Sequence, residues 1–235
     1  MLDQAFDELN KYDWGVDPKV LRPIDEAVVK CHGDEGARAK LEERFAAVLS
    51  SDAPRSAKDY VCRKLMLIGS AACVPALAAL LGEKELSHMA RYALERIPAG
   101  EAAEALRDAA GKLSGALQAG AISSLCSRGD VGSVSVLGGL VGDSDAAVVK
   151  AAAAALGSIG NGDAAAALAK ADAKDAEAKV ATTDAKLACA ENLVSAGKKT
   201  EALAIYKSLS GDDQPKHVSL AAKRGVLACL GSKAE

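Results

Sequence analysis

Apolar and polar residues along the chain sort into segments whose apolar positions recur every three or four residues, the spacing of one face of a helix. In the first segment Leu2, Ala5, Phe6 and Leu9 share a face, and Trp14-Gly15 ends it. A second helix is expected from Pro18 to Cys31 and a third from about Gly36 to Leu49. Asp52-Ala53-Pro54 then opens a fourth, because aspartate can accept free N–H groups and proline tolerates the first turn. From Ala57 the pattern becomes regular: a helix ends at Ile68-Gly69, a second covers Val74 to Leu81, and the pair recurs. Between Leu86 and Ile97 the stripe is Leu86, Met89, Ala90, Ala93, Leu94 and Ile97, which leaves His88, Arg91, Tyr92 and Glu95 on the other face.

A longer period overlies the helical one. A leucine followed four residues later by glycine or proline occurs at Leu65/Gly69, Leu94/Pro98, Leu125/Gly129, Leu156/Gly160, Leu193/Gly197 and Leu227/Gly231, with Val29/Gly33 as a weaker first copy. The spacings from Leu65 onward are 29, 31, 31, 37 and 34 residues, the range of stacked helical hairpins. Twelve residues after each of the first four leucines stands another, at Leu77, Leu106, Leu137 and Leu168, and Val29 obeys the same rule with Leu41.

These residues carry a family resemblance. Leu65-Met66-Leu67-Ile68-Gly69 followed by Val74-Pro75-Ala76-Leu77-Ala78-Ala79-Leu80-Leu81 resembles a HEAT-type repeat, as do Ala151 to Gly160 with Ala164 to Leu168. The resemblance covers roughly residues 57 to 171 and implies an all-α fold, a right-handed α-α superhelix (solenoid) of HEAT-like hairpins. The segment from Leu86 to Glu95 is similar to bacterial HEAT-repeat proteins that are often exported and fused to catalytic or haem-binding modules. That similarity implies an accessory, protein-facing role. It favours an exported or periplasmic location if a leader has been removed, and a cytoplasmic one otherwise. Leu193 to Tyr206 is similar to a tetratricopeptide hairpin through Gly197, Ala202, Leu203 and Tyr206, with Pro215 near the terminating proline of that pattern. The expected organisation is a helical cap region over 1–53, HEAT-like repeats over 54–171, and tetratricopeptide-like helices over 172–235, continuous with the solenoid. The charged run Asp172 to Lys179 reads as either a solvated helix or a short linker.

Composition narrows the function classes. Half of the 235 residues are hydrophobic but only 3% are aromatic, so the core is built from Ala, Leu, Val and Ile on closely approaching helices. A formal charge of −3 gives no general attraction to nucleic acid or to an anionic membrane. No apolar run approaches the ~20 residues needed to cross a bilayer. The six cysteines are dispersed without a C-x-x-C pair, and Cys73, Cys189 and Cys229 sit among Ala, Leu and Val, as small buried hydrophobes do.

Candidate chemistry concentrates on the polar face around His88. In a HEAT array the second helix of each hairpin lines the concave side, so His88, Arg91, Tyr92 and Glu95 are expected in a groove. A shift by one repeat adds Arg63 and Met66 on one side and Ile122 on the other, and a further shift adds Lys150. An aromatic and an arginine on partly apolar ground suit a protein or peptide partner. The alternative is that this face is covered and that Arg91 and Glu95 simply pair. The leading expectation is therefore a non-catalytic protein- or peptide-binding scaffold.

The second function class is an enzyme or enzyme auxiliary of the HEAT-like lyase type with a pocket around His88, Arg91 and Tyr92. His88 has a side chain suited to proton transfer near neutral pH, but no nucleophile is specified beside it. Ser87 points about 100° away on a helix and reads as a helix cap, while His88 reads as bonding a neighbouring helix end. Cys31-His32 diverge on a helix, and recurring His-Glu pairs are missing, so neither a metal nor a cofactor is expected. Asp143-Ser144-Asp145 and Asn161-Gly162-Asp163 lack the ligand spacing of a calcium loop and read as turns and caps. No phosphate-binding or nucleophile-elbow motif occurs. A nucleic-acid site would rest on Arg63, Arg91 and Lys150 alone, a thin track. Trp14 reads as an N-terminal packing anchor.

Overall fold

The structure, a computed structural model, describes residues 1–231. Among these residues there are fourteen α-helices and three short 3-10 turns, and no strand. The fold is all-α, of the helical-solenoid class. The chain divides into two compact units, Met1–Leu113 and Ser114–Glu235.

The first unit holds α1 (Leu2–Leu9), α2 (Arg22–Lys30), α3 (Glu35–Leu49), α4 (Arg55–Ile68), α5 (Val74–Ala79), α6 (Ser87–Arg96) and α7 (Gly100–Lys112). The helix expected from Pro18 starts as a 3-10 turn over Pro18–Leu21, which the Asp17 side chain caps by accepting from the Lys19 N–H. Asp34 caps α3 in the same way through the Ala37 N–H. At α4 the N-cap is Pro54, with no side-chain cap, so the expected role of Asp52 is not taken. Phe6 and Phe45 pack with ring centroids 5.6 Å apart, and the Arg44 guanidinium covers Phe6 at 3.7 Å. Trp14, expected as a packing anchor, is instead 70% exposed. Its loop is held by Asp13, which accepts hydrogen bonds from the Trp14 N–H and the Ser56 hydroxyl. These two bonds hold the Asp13 carboxyl below the usual carboxylate range. Helix α4 packs on α6, and α5 packs on α6 and α7.

The second unit holds α8 (Gly115–Arg128), α9 (Val134–Leu140), α10 (Ala146–Ile159), α11 (Gly162–Ala169), α12 (Ala176–Ser195), α13 (Lys199–Leu209) and α14 (Lys216–Leu230). Helix α10 packs on both α8 and α12, α13 packs on α12 and α14, and α11 packs on α9, α10 and α12. The Asp145 and Asn161 side chains cap α10 and α11, the roles expected of those two segments. Gly129 and Gly160 stop α8 and α10 with φ of +62° and +58°, a left-handed conformation that favours glycine. Of the charged run, residues 172–175 are non-helical and the rest opens α12. Ala173 anchors the run by burying against Val149 and Ala178.

The long-period leucines Leu65, Leu94, Leu125, Leu156 and Leu193 are fully buried, as are Leu77, Leu106 and Leu137, with Leu168 and Leu41 nearly so. The two outermost copies behave differently: Val29 is 75% and Leu227 69% exposed.

Candidate functional site

On α6 the repeat register sets Arg91 three residues before the buried Leu94. Before the other four buried leucines the corresponding residues are Cys62 in α4, Ile122 in α8, Ala153 in α10 and Ala190 in α12, and each of these is fully buried, while before the exposed Leu227 stands an exposed Arg224. An arginine in that register has to keep its aliphatic stem in the core direction while its charged head seeks polar company. It finds some on its own helix. The guanidinium Nη2 lies 3.3 Å from His88 Nδ1. Burial lowers the Arg91 pKa, while the charge of Glu95 and the Tyr92 hydroxyl favour the cation. Tyr92 is 43% exposed, and its ring centroid lies 4.8 Å from that of His88 at an interplanar angle of 57°.

Helix α4 lies beside α6 and contributes an exposed Arg63 and a part-buried Met66. One turn before Arg63 stands Asp59, which the sequence reading passed over. Its side chain is buried and meets the Arg55 guanidinium at 3.9 Å. Burial pushes its carboxyl above the usual carboxylate range against the opposing charges of Arg55, Arg63 and His88. Arginines four residues before and after Asp59 were the available signal, since that spacing marks a helical carboxylate with two possible counter-charges.

The remaining polar groups give little scope for nucleophilic chemistry. Burial, with the Asp59 charge adding to it, pushes the Cys62 thiol up to about 12, so it stays protonated at neutral pH. Ser87 is the first helical residue of α6, and the N-cap is Leu86. The expected cap role of Ser87 therefore falls away, and its buried hydroxyl has no hydrogen-bond partner among the described residues. His88 contacts Arg91 and Tyr92 on its own helix rather than the neighbouring helix end that was expected. Among the described residues no group of three or more His, Cys, Asp and Glu side chains could hold a metal ion.

Two expected groove residues belong to the second unit. Ile122 is wholly buried in α8, so its side chain does not line an open groove as expected: the position three before this repeat leucine is a core position, filled there by an apolar side chain. Lys150 on α10 is partly exposed and donates to Glu177 at 2.8 Å, and that bond and charge raise its pKa.

Part of the chain is similar to known proteins. Residues 103–189 match the family model of HEAT repeats. Over this stretch the chain is similar to HEAT repeats. The stretch includes Ile122 and Ala153 and ends at Cys189, the residue before Ala190 in α12. Similar solved structures include two engineered proteins, at 20% and 19% identity. The first alignment covers 99% of this chain and 69% of that one with a TM-score of 0.49; the second covers 89% and 97% with 0.44. Human deoxyhypusine hydroxylase in complex with glycerol aligns at 17% identity over 98% of this chain and 94% of that one, with a TM-score of 0.37. No curated protein matches the chain. Among the described residues no helix is long and apolar enough to cross a membrane.

Proposed function

We propose that the chain is a non-catalytic helical scaffold and that the polar face of α6, with α4 beside it, recognises a protein or peptide. The carrying observation is Arg91: a charged side chain occupies a register that four other helices fill with buried cysteine, isoleucine or alanine. Departures from a local rule that bring no gain in packing concentrate at functional positions. The ground around Arg91 also suits a partner. It combines an arginine and an exposed tyrosine, two residue types that dominate binding energy at protein interfaces, with a histidine ring tilted against the tyrosine and the half-buried Met66. HEAT-type arrays offer extended surfaces of this kind to other proteins. The protonated Cys62 thiol and the buried Ser87 hydroxyl support a binding role over a catalytic one, because neither offers His88 a nucleophile.

Selection of a displayed random-peptide library on the wild-type protein, followed by affinity measurement on an Arg91→Glu/Tyr92→Ala variant, tests the reading. Enriched peptides are expected to bind the wild type and to lose about tenfold or more in affinity, at least ~1.4 kcal/mol, on the variant. Peptides that bind both proteins equally, with helical content unchanged, would remove the α6 face as the site.

A further inference from the structure

Helix α14 carries the sixth copy of the repeat leucine, and it is the exposed one. Leu65, Leu94, Leu125, Leu156 and Leu193 are fully buried, whereas Leu227 is 69% exposed, together with Leu220 at 49% and Leu230 at 56%. The opposite face of α14 is well seated, with Val218 and Ala222 buried and Gly225 against the Tyr206 ring of α13. A Cβ at Gly225 would lie 2.4 Å from that ring. Helix α14 is therefore fixed on one side and presents three leucines on the other.

The charge of this face is one-sided. Lys216, Leu220, Lys223, Leu227 and Leu230 follow one another at spacings of four, three, four and three residues, with Arg224 alongside, so leucines and cations alternate along one stripe. The helix contains no acidic residue. Lys223 reaches Asp212 at 3.2 Å, but that pair is largely solvated, the aspartate side chain at 99%, and such a pair neutralises little.

This charge pattern selects among occupants. A second copy laid antiparallel on α14 would cross near its midpoint, Lys223, and would oppose Lys223 and Arg224 of one copy to the same residues of the other. Like charges so placed are repulsive. An anionic bilayer would accept the charge of the stripe, but the face carries no aromatic residue of the kind that anchors interfacial helices. A helix with apolar residues at the same spacing and Asp or Glu between them meets both features at once. We propose that the exposed face of α14 docks an acidic amphipathic helix of a partner protein, with Leu220, Leu227 and Leu230 as its apolar contacts and Lys216, Lys223 and Arg224 as its charge contacts. The mode is helix against helix, read through anchors at i, i+7 and i+10. The surface is separate from the α6 face, and neither reading depends on the other.

The probe is a labelled synthetic helix of about 16 residues, long enough to hold helical structure, with leucines on one face and glutamates elsewhere. Its twin carries lysine in place of every glutamate. Fluorescence anisotropy with the full chain is expected to show binding of the acidic peptide that weakens with added salt, and at least tenfold weaker binding of the twin. Leu227→Glu and Lys223→Glu/Arg224→Glu are each expected to weaken the acidic peptide about tenfold or more, with circular dichroism unchanged because these side chains face solvent. Equal binding of the two peptides, or no effect of Leu227→Glu, overturns the proposal. So does a wild-type dimer in sedimentation equilibrium that Leu227→Glu dissolves, which would assign the face to a second copy. Co-sedimentation with phosphatidylserine vesicles that Leu227→Glu abolishes, without peptide binding, overturns it in favour of a lipid surface.

Discussion

A Cβ atom placed on Gly157 of α10 would lie 2.8 Å from the carbonyl oxygen of Ala185 on α12 and 2.9 Å from its Cα. The two helices meet backbone to backbone there, and the obstacle is main chain, which cannot step aside as a flexible side chain can. Gly157→Ala gains about 1 kcal/mol of helix propensity but forces α10 and α12 apart. A net loss of about 1–3 kcal/mol, typical of an overpacked core, is expected in urea unfolding. A variant as stable as the wild type would show that the helices can separate freely at this point.

The repeat leucines divide by position in the chain. Leu94→Ala and Leu156→Ala remove fully buried side chains and are each expected to cost about 2–5 kcal/mol. Leu227→Ala removes an exposed one and should change stability by no more than about 0.5 kcal/mol. A large loss at Leu227 would show that α14 is covered in solution.

The periodicity made most of this architecture legible. Leucines at two registers locate the core, and glycine or proline four residues after the first register locates helix ends, because a buried stripe and a stop are both written in residue type. The candidate site was legible only in part. Ile122 was misread because a one-repeat shift from Arg91 transfers the exposure of Arg91 to its counterparts, although that register faces the core before the buried leucines, where Arg91 is the exception. Asp59 was missed because its burial depends on how α6 lies over α4, which no spacing within α4 reports. The exposure of Leu227 was equally hidden in its leucine-to-glycine spacing, which is that of its buried counterparts; Arg224, three residues before it, was the one local sign.

Arg91 invites a trade between stability and recognition. Replacing the half-buried guanidinium with an apolar side chain of similar length, Arg91→Met, should restore the apolar pattern of Cys62, Ile122, Ala153 and Ala190 and raise stability by about 0.5–2 kcal/mol. The same variant should lose the peptides selected on the α6 face. Chemical denaturation reads the first effect, and a fall in stability would mean that Arg91 is held by structural partners alone.

Asp59 sets a pH dependence with a definite sign. Burial raises its folded-state pKa above the ordinary value of 3.8, so the native chain holds this proton more tightly than the unfolded chain does. Its contribution to stability is fully present below pH 3.8 and declines as the pH rises through the folded-state value. Asp59→Asn removes the titration. Relative to wild type the variant should gain melting temperature as the pH rises above 3.8 and hold that gain once Asp59 is ionised in both states, with the smallest difference below pH 3.8. A difference that does not vary with pH would place the Asp59 proton affinity at its ordinary value.

Close contact at Gly157 is one of three points that join α10 to α12. Near their N-terminal ends Lys150 bridges to Glu177, and near their C-terminal ends the Asn192 amide donates to the carbonyl oxygens of Gly157 and Ser158 at 3.0 and 3.2 Å. Two rods pinned at both ends and pressed together between them can neither slide by a residue nor swing apart about a single pivot. The chain between α11 and α12, residues 170–175, is then mechanically redundant: a protease that cuts it leaves two fragments that migrate as one body until a denaturant releases them.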